Sequence, residues 1–227
     1  MSGLEVEGDK AVPVSNQNDN IKRNLIRALM PTTSLMLESA EKMIIPSVFT
    51  LFQGPGRDGS PFPEDIIKKV SEGDKAFKKG DYKKAEACYR EILPYYRFRA
   101  SDFALGEVQL HLARSMSKQG KYAVPEFDEA LKIEKDAKMP YKPLEAFILC
   151  EKAENLLTCK DKKQDARLAE KTCTAGIELL KGVKARELAN TTLLANLYAT
   201  RALANLKLED ITQATQDLTM SISLRKK

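Results

Sequence analysis

A chain of 227 residues that is 43% hydrophobic can bury a substantial core, as one large domain or two small ones, and is not disordered throughout. Charged residues make up 30% and aromatics only 7%, with no Trp, which favours helices with solvated faces over a β-sandwich. The net charge of +5 forms no concentrated basic stripe, which argues against a nucleic-acid module, and a single histidine, His111, excludes a two-His metal site, a Cys2His2 zinc finger and any multi-His relay.

Residues 1–19 are polar, acidic and without pattern, and read as a flexible tail. Residues 20–50 predict two short amphipathic helices. The first sets Ile21, Leu25, Ile26 and Leu29 on one face, opposite Lys22, Arg23 and Arg27, and stops at Pro31. The second carries Met36, Ala40, Met43 and Ile44 and ends at Pro46. Helices this short are marginal alone in water. Ile21, Leu25, Leu29, Met36, Met43 and Ile44 are therefore candidate docking residues, placed either on the rest of this chain or on a partner. Residues 51–63 form a Gly/Pro-rich linker. Within it, Leu51–Pro55 resembles the recognition sequence of a picornaviral protease without the usual Glu-Val before the leucine, so it is either native or an engineered junction.

From Pro63 onward no β-alternation occurs, and the helical period predicts helices at 64–79, 82–98, 101–119, 123–137, 142–159, 163–181, 184–208 and 211–225. Eight antiparallel helices make four hairpins, so the fold expected of residues 64–227 is all-α. Cys88, Cys150, Cys159 and Cys173 form no C-x-x-C pair and sit in apolar helical patterns, as buried thiols of a reducing compartment do. The start shows no basic segment followed by an apolar stretch, and no run of about 18 apolar residues occurs. Neither a secretory signal nor a membrane span is expected, and the expected compartment is the cytoplasm, with the nucleus as the alternative.

One helical grammar repeats. In Glu72–Leu93 the small residue Gly73 precedes Gly80 by seven, and Tyr82, Ala85 and Tyr89 follow. Small residues let two helices approach and aromatics fill the space beside them, while Gly80 ends the first helix and Asp81 caps the second. Near the end, Ala202, Ile211 and Ala214 take the places of Gly73, Tyr82 and Ala85, and Asp210 with Gln213 predicts a capping box. Leu112–Tyr122 is a looser copy and Ala153–Gly176 a looser one still. Pro125 suits only the first turn of its helix, which therefore starts late.

These segments resemble the tetratricopeptide repeat family, most specifically in the first and fourth copies. The family's usual period is about 34 residues. Gly80 to Gly120 is 40 residues here and the later copies lie further apart, which resembles the extended hairpins of the co-chaperone and immunophilin branch. The resemblance implies an α-solenoid whose first helices line a concave groove, faced by Val70, Asp74, Phe77, His111, Arg114, Lys118, Thr200, Leu203 and Lys207. One branch of the family grips a C-terminal carboxylate with Lys, Asn and Arg side chains; Val70, Asp74, His111, Phe147 and Glu151 stand at those positions here and none matches.

Other chemistry finds little support. His111 has no Ser or Cys signature beside it, so a polar helical spacer outweighs a catalytic or pH-sensing role. Asp128/Glu129 and Glu209/Asp210 read as helix surface and caps, and Gly54-Pro-Gly56 opens no helix and is no phosphate loop. Tyr95, Tyr96 and Phe98 beside Arg97 and Arg99 resemble a stacking cluster for single-stranded nucleic acid, but at a helix end they read first as packing against the next hairpin. The expected function is a non-enzymatic scaffold or adaptor, without cofactor, metal or small-molecule substrate, that binds a peptide or helix in the groove or docks into a larger assembly. The alternatives are a co-chaperone adaptor without the carboxylate clamp and an RNA-associated helical repeat.

Overall fold

A computed structural model describes residues 59–138, 140–159, 163–181 and 188–225. The two expected N-terminal helices and the 51–58 part of the linker lie outside these residues. Those described form helices joined by short connections: α1 Glu64–Lys78, α2 Tyr82–Arg99, α3 Asp102–Ser117, α4 Val124–Asp136, α5 Lys142–Cys159, α6 Lys163–Lys181, α7 Leu188–Lys207 and α8 Ile211–Arg225. No strand occurs among the described residues.

Each helix packs on the one before it and the one after it, and the first helices of successive hairpins also meet, α5 with α7 and, more lightly, α3 with α5. One apolar core runs from α1 to α7, through Val70, Tyr89, Ile92, Leu110, Phe127, Phe147, Leu156, Ile177 and Leu193. Burying a side chain of this size contributes about 2 kcal/mol. A small second cluster of Ala202, Leu206 and Ala214 closes the last hairpin.

Small residues set the closest approaches. Any Cβ on Gly73 would lie 3.1 Å from both Cys88 Cβ and the Tyr89 ring, so at this α1–α2 approach a larger residue would push its neighbours aside by a few tenths of an ångström. Ala85, Ala202 and Ala214 are buried at the corresponding crossings, as the repeat grammar predicts.

Three of the connections are the same turn. The amide of Asp81 donates to Ala76 O, that of Lys121 to Met116 O and that of Asp210 to Asn205 O. The residue before each amide has positive φ: Gly80 at 79°, Gly120 at 71° and Glu209 at 69°. This is a Schellman ending. Asp81 then accepts from the Lys84 amide at 3.1 Å, and Asp210 from the Gln213 amide at 2.9 Å. Only half of the expected capping box forms, because the Gln213 side chain donates to Asp217 instead. In the second hairpin Lys121 stands where the capping aspartate would be. There α4 starts late, with Pro125 in its first turn, and Asn155 of α5 accepts the Ala123 amide at 2.9 Å. Pro94 lies inside α2 without ending it, held between the fully buried Ile92 and Tyr96.

Candidate partner-binding face

The first helices of the hairpins meet through a single row of side chains. Helical spacing puts Val70, Asp74 and Phe77 on one face of α1. The same spacing groups Glu107, His111 and Arg114 on α3, Phe147, Glu151 and Glu154 on α5, and Asn196, Thr200, Leu203 and Lys207 on α7. The His111 ring stands edge-on to Phe77, centroids 5.7 Å apart, and lies 5.6 Å from Tyr89. Arg114 sits 5.0 Å over Phe77 and 5.5 Å over Phe147, and its Nε donates to Glu151 Oε1 at 3.0 Å. Lys207 Nζ donates to Leu157 O at 3.0 Å, joining α7 to α5. The row thus continues from one hairpin to the next.

Of the nine residues expected to line a groove, Val70, Asp74, His111, Arg114, Thr200 and Leu203 are buried, while Phe77, Lys118 and Lys207 are half-buried. Arg114 is only 1% exposed. Its cation is balanced by Glu151 and by two aromatic faces, an arrangement that holds a buried charge only while all partners stay in place. Tyr89 donates to Asp74 Oδ1 at 2.7 Å, and burial followed by the Asp74 charge holds its phenol far above the ordinary range. Ile21, Leu25, Leu29, Met36, Met43 and Ile44 lie outside the described residues.

Acidic and amide groups missed by the sequence reading share this face. Glu107 is fully buried and neither carboxyl oxygen has a hydrogen-bond partner. Burial, then the neighbouring charges of Asp74 and Glu134, push its carboxyl up to about 9, so it is protonated at neutral pH. Asn196 is fully buried as well, and neither end of its carboxamide is bonded. Burial and the Glu151 charge raise Glu154 too, against Lys118 and Arg114.

A second network, also missed, ties the last hairpin together. Arg201 holds both oxygens of Asp217, at 2.9 and 2.7 Å, and donates to Thr174 of α6; Asn205 adds a bond to Asp217 at 3.2 Å. A bidentate pair of this kind fixes angle as well as distance. The Tyr95–Arg99 cluster meets the segment before α1 and also reaches the next hairpin, where Arg97 lies 4.0 Å from Glu129 of α4. Phe62 lies 5.9 Å from Tyr95 and 5.6 Å from Tyr96, and Arg99 stacks on Tyr95 and bonds Ser60. Phe98 stands 86% exposed.

Cys88, Cys150 and Cys173 are buried free thiols, and burial pushes each above the ordinary value; the side chain of Cys159 lies outside the description. Among the described residues no helix is long and apolar enough to cross a membrane. No protein-family model matches the chain, and neither does any curated protein.

Proposed function

We propose that the chain is a non-enzymatic interaction module: a tetratricopeptide-like stack of four hairpins whose first helices offer one continuous face to a helical or extended segment of a protein. The observation that carries this reading is the row from Phe77 through His111, Arg114 and Phe147 to Glu151, in which aromatic and charged side chains of successive first helices interlock. Buried aromatic and arginine side chains are the usual anchors of protein interfaces. Asp74 and Glu151 on the same face disfavour a phosphate backbone, and Arg114, already balanced by Glu151, is not free to grip a carboxylate. The His111 ring lies between Phe77 and Tyr89, which supports a packing role over a catalytic one. Raised, buried thiols also fit a reducing compartment, the cytoplasm or the nucleus.

The test places a photo-crosslinking side chain at Phe77, on the face, or at the exposed Phe98 of α2, in the full chain added to a native extract. The expected result is a discrete polypeptide captured from position 77 and not from position 98. Capture of RNA from position 77, or the same products from both positions, would contradict the proposal.

A further inference from the structure

Among the described residues, α2, α4 and α6 each pack on the helix before them and on the first helix of the next hairpin, whereas α8 packs closely on α7 alone. The surface of α8 also differs in kind. α2, α4 and α6 each carry seven Asp, Glu, Lys or Arg residues; α8 carries two, Asp217 and Arg225. Asp217 is 1% exposed and held by Arg201, so no charged side chain reaches the surface of α8 between Ile211 and Leu224. In a chain with 30% charged residues, about four turns of helix without a surface charge fit the core of an interface better than a solvated side.

Ile211, Thr215, Leu218 and Ile222 follow one another by four, three and four residues, the spacing of a coiled-coil seam. They fall within about 60° of the helix circumference. Ile211 and Ile222 are 54% and 52% exposed, and Leu218 is half-buried. Gln213, on the other side of α8, lines a cleft with Arg167, Glu170 and Thr174 of α6. The seam therefore points away from α6, the direction in which α2, α4 and α6 each meet the next first helix.

The occupant this seam fits is the same seam of a second copy. Its spacing reads the same from both ends: in an antiparallel pair, Ile211 of each copy faces Ile222 of the other, and Thr215 faces Leu218. The ends of α8 carry opposite charge, with Glu209 and Asp210 before it and Arg225, Lys226 and Lys227 at its close. Antiparallel pairing brings each acidic end to a basic one, whereas parallel pairing sets like charges side by side. A head-to-tail mate would be the open side of α1. That side carries Glu64, Lys68, Glu72 and Lys75 around Ile67, charges that would lose water against an uncharged helix.

We infer that the chain forms an antiparallel two-fold dimer through the α8 seam. A seam about 21 Å long belongs with the small interfaces that associate weakly and reversibly. The contact uses none of the side chains of the first-helix row, so it stands apart from the scaffold reading. It sets two such rows on one assembly, which strengthens binding to a partner with two matching segments.

The experiment is sedimentation of the purified full chain from about 5 to about 500 micromolar, followed by photo-crosslinking. The expected result is a monomer–dimer equilibrium that reverses on dilution. Ile222→Glu should weaken the dimer at least about tenfold while keeping parent-like thermal melting, because Ile222 is exposed. Arg225→Glu should weaken it about threefold at low salt and little at high salt. Phe98→Glu, at an exposed apolar residue of α2, should leave it unchanged. An aliphatic diazirine side chain at position 211, in a mixture of isotope-labelled and unlabelled copies, should link to residues 218–225 of the other copy. Monomer throughout, a dimer unaffected by either α8 variant, or a dimer that Phe98→Glu abolishes would each overturn the inference. Links from position 211 to residues 207–214 of the other copy, or to residues 1–58, would overturn it as well.

Discussion

Glu107 shows how one residue couples the buried face to pH. Its carboxyl titrates near 9 in the folded chain, because burial and the charges of Asp74 and Glu134 oppose ionisation, whereas an unfolded glutamate titrates near its ordinary value of 4.5. Between those two values the folded state holds a proton that the unfolded state has released. The stability it confers is therefore complete below the unfolded pKa and is lost as pH rises toward the folded one. Glu107→Gln keeps a neutral group of the same shape at every pH. Urea midpoints measured at about pH 5 and about pH 8 should show the variant gaining on the parent chain at the higher pH. Parallel midpoints at the two pH values would contradict a raised, buried carboxyl. Glu86 is the opposite case. Burial alone would raise it, but bonds from Lys121 at 2.6 Å, Gln119 at 2.7 Å and Arg90 at 3.0 Å outweigh burial and hold it below the ordinary value. Its contribution is present above the unfolded pKa and is lost as pH falls through the folded one. At this scale the sequence was only partly legible. His111 and Arg114 stand out because helical spacing and the repeat resemblance place both on the inner side of a first helix. Glu107, Asn196 and Asp217 do not, because a glutamate or asparagine in a helix ordinarily marks a solvated face and only the packing shows that these are enclosed.

The elements were far more legible, because their ends are written in local chemistry. Gly80 and Gly120 stop α1 and α3 in the left-handed conformation, Asp81 and Asp210 cap α2 and α8, and Pro125 delays α4. Each signal acts within a few residues, so no tertiary context was needed to read it. The exception is Glu209, which adopts φ 69° where the other two turns use glycine. Left-handed backbone costs a side-chain-bearing residue roughly 1–2 kcal/mol. Glu209→Gly should accordingly raise stability by roughly 0.5–1 kcal/mol in urea unfolding, after the offset of added unfolded-state entropy. A loss of stability would mean that the Glu209 side chain holds the α7–α8 turn in place. The half-formed capping box has the same lesson in reverse. Gln213 was placed correctly at the start of α8, but the buried Asp217 one turn later competes for its side chain, and that competition is invisible until α7 and α8 are packed.

At the scale of the whole molecule, the claim that matters most is that the hairpins continue in one direction. Contacts pass from each helix to the next, α5 touches α7, and α3 touches α5. The same turn recurs at Gly80, Gly120 and Glu209. Lys78, Lys118 and Lys207 each stand two residues before such a turn residue. If the stack is open and each hairpin advances it by about 10 Å, Lys78 and Lys207, three hairpins apart, lie roughly 30 Å from each other. If the eight helices close into a bundle, the two come within about 20 Å. The direct measurement is the electron–electron distance between nitroxides carried on unnatural side chains at positions 78 and 207, with positions 78 and 118 as the one-step reference. An open stack predicts a single narrow distribution near 30 Å for the long pair and a clearly shorter one for the reference pair. A long-pair distance of about 20 Å or less would contradict the stack, and with it the continuous face on which the proposed binding depends.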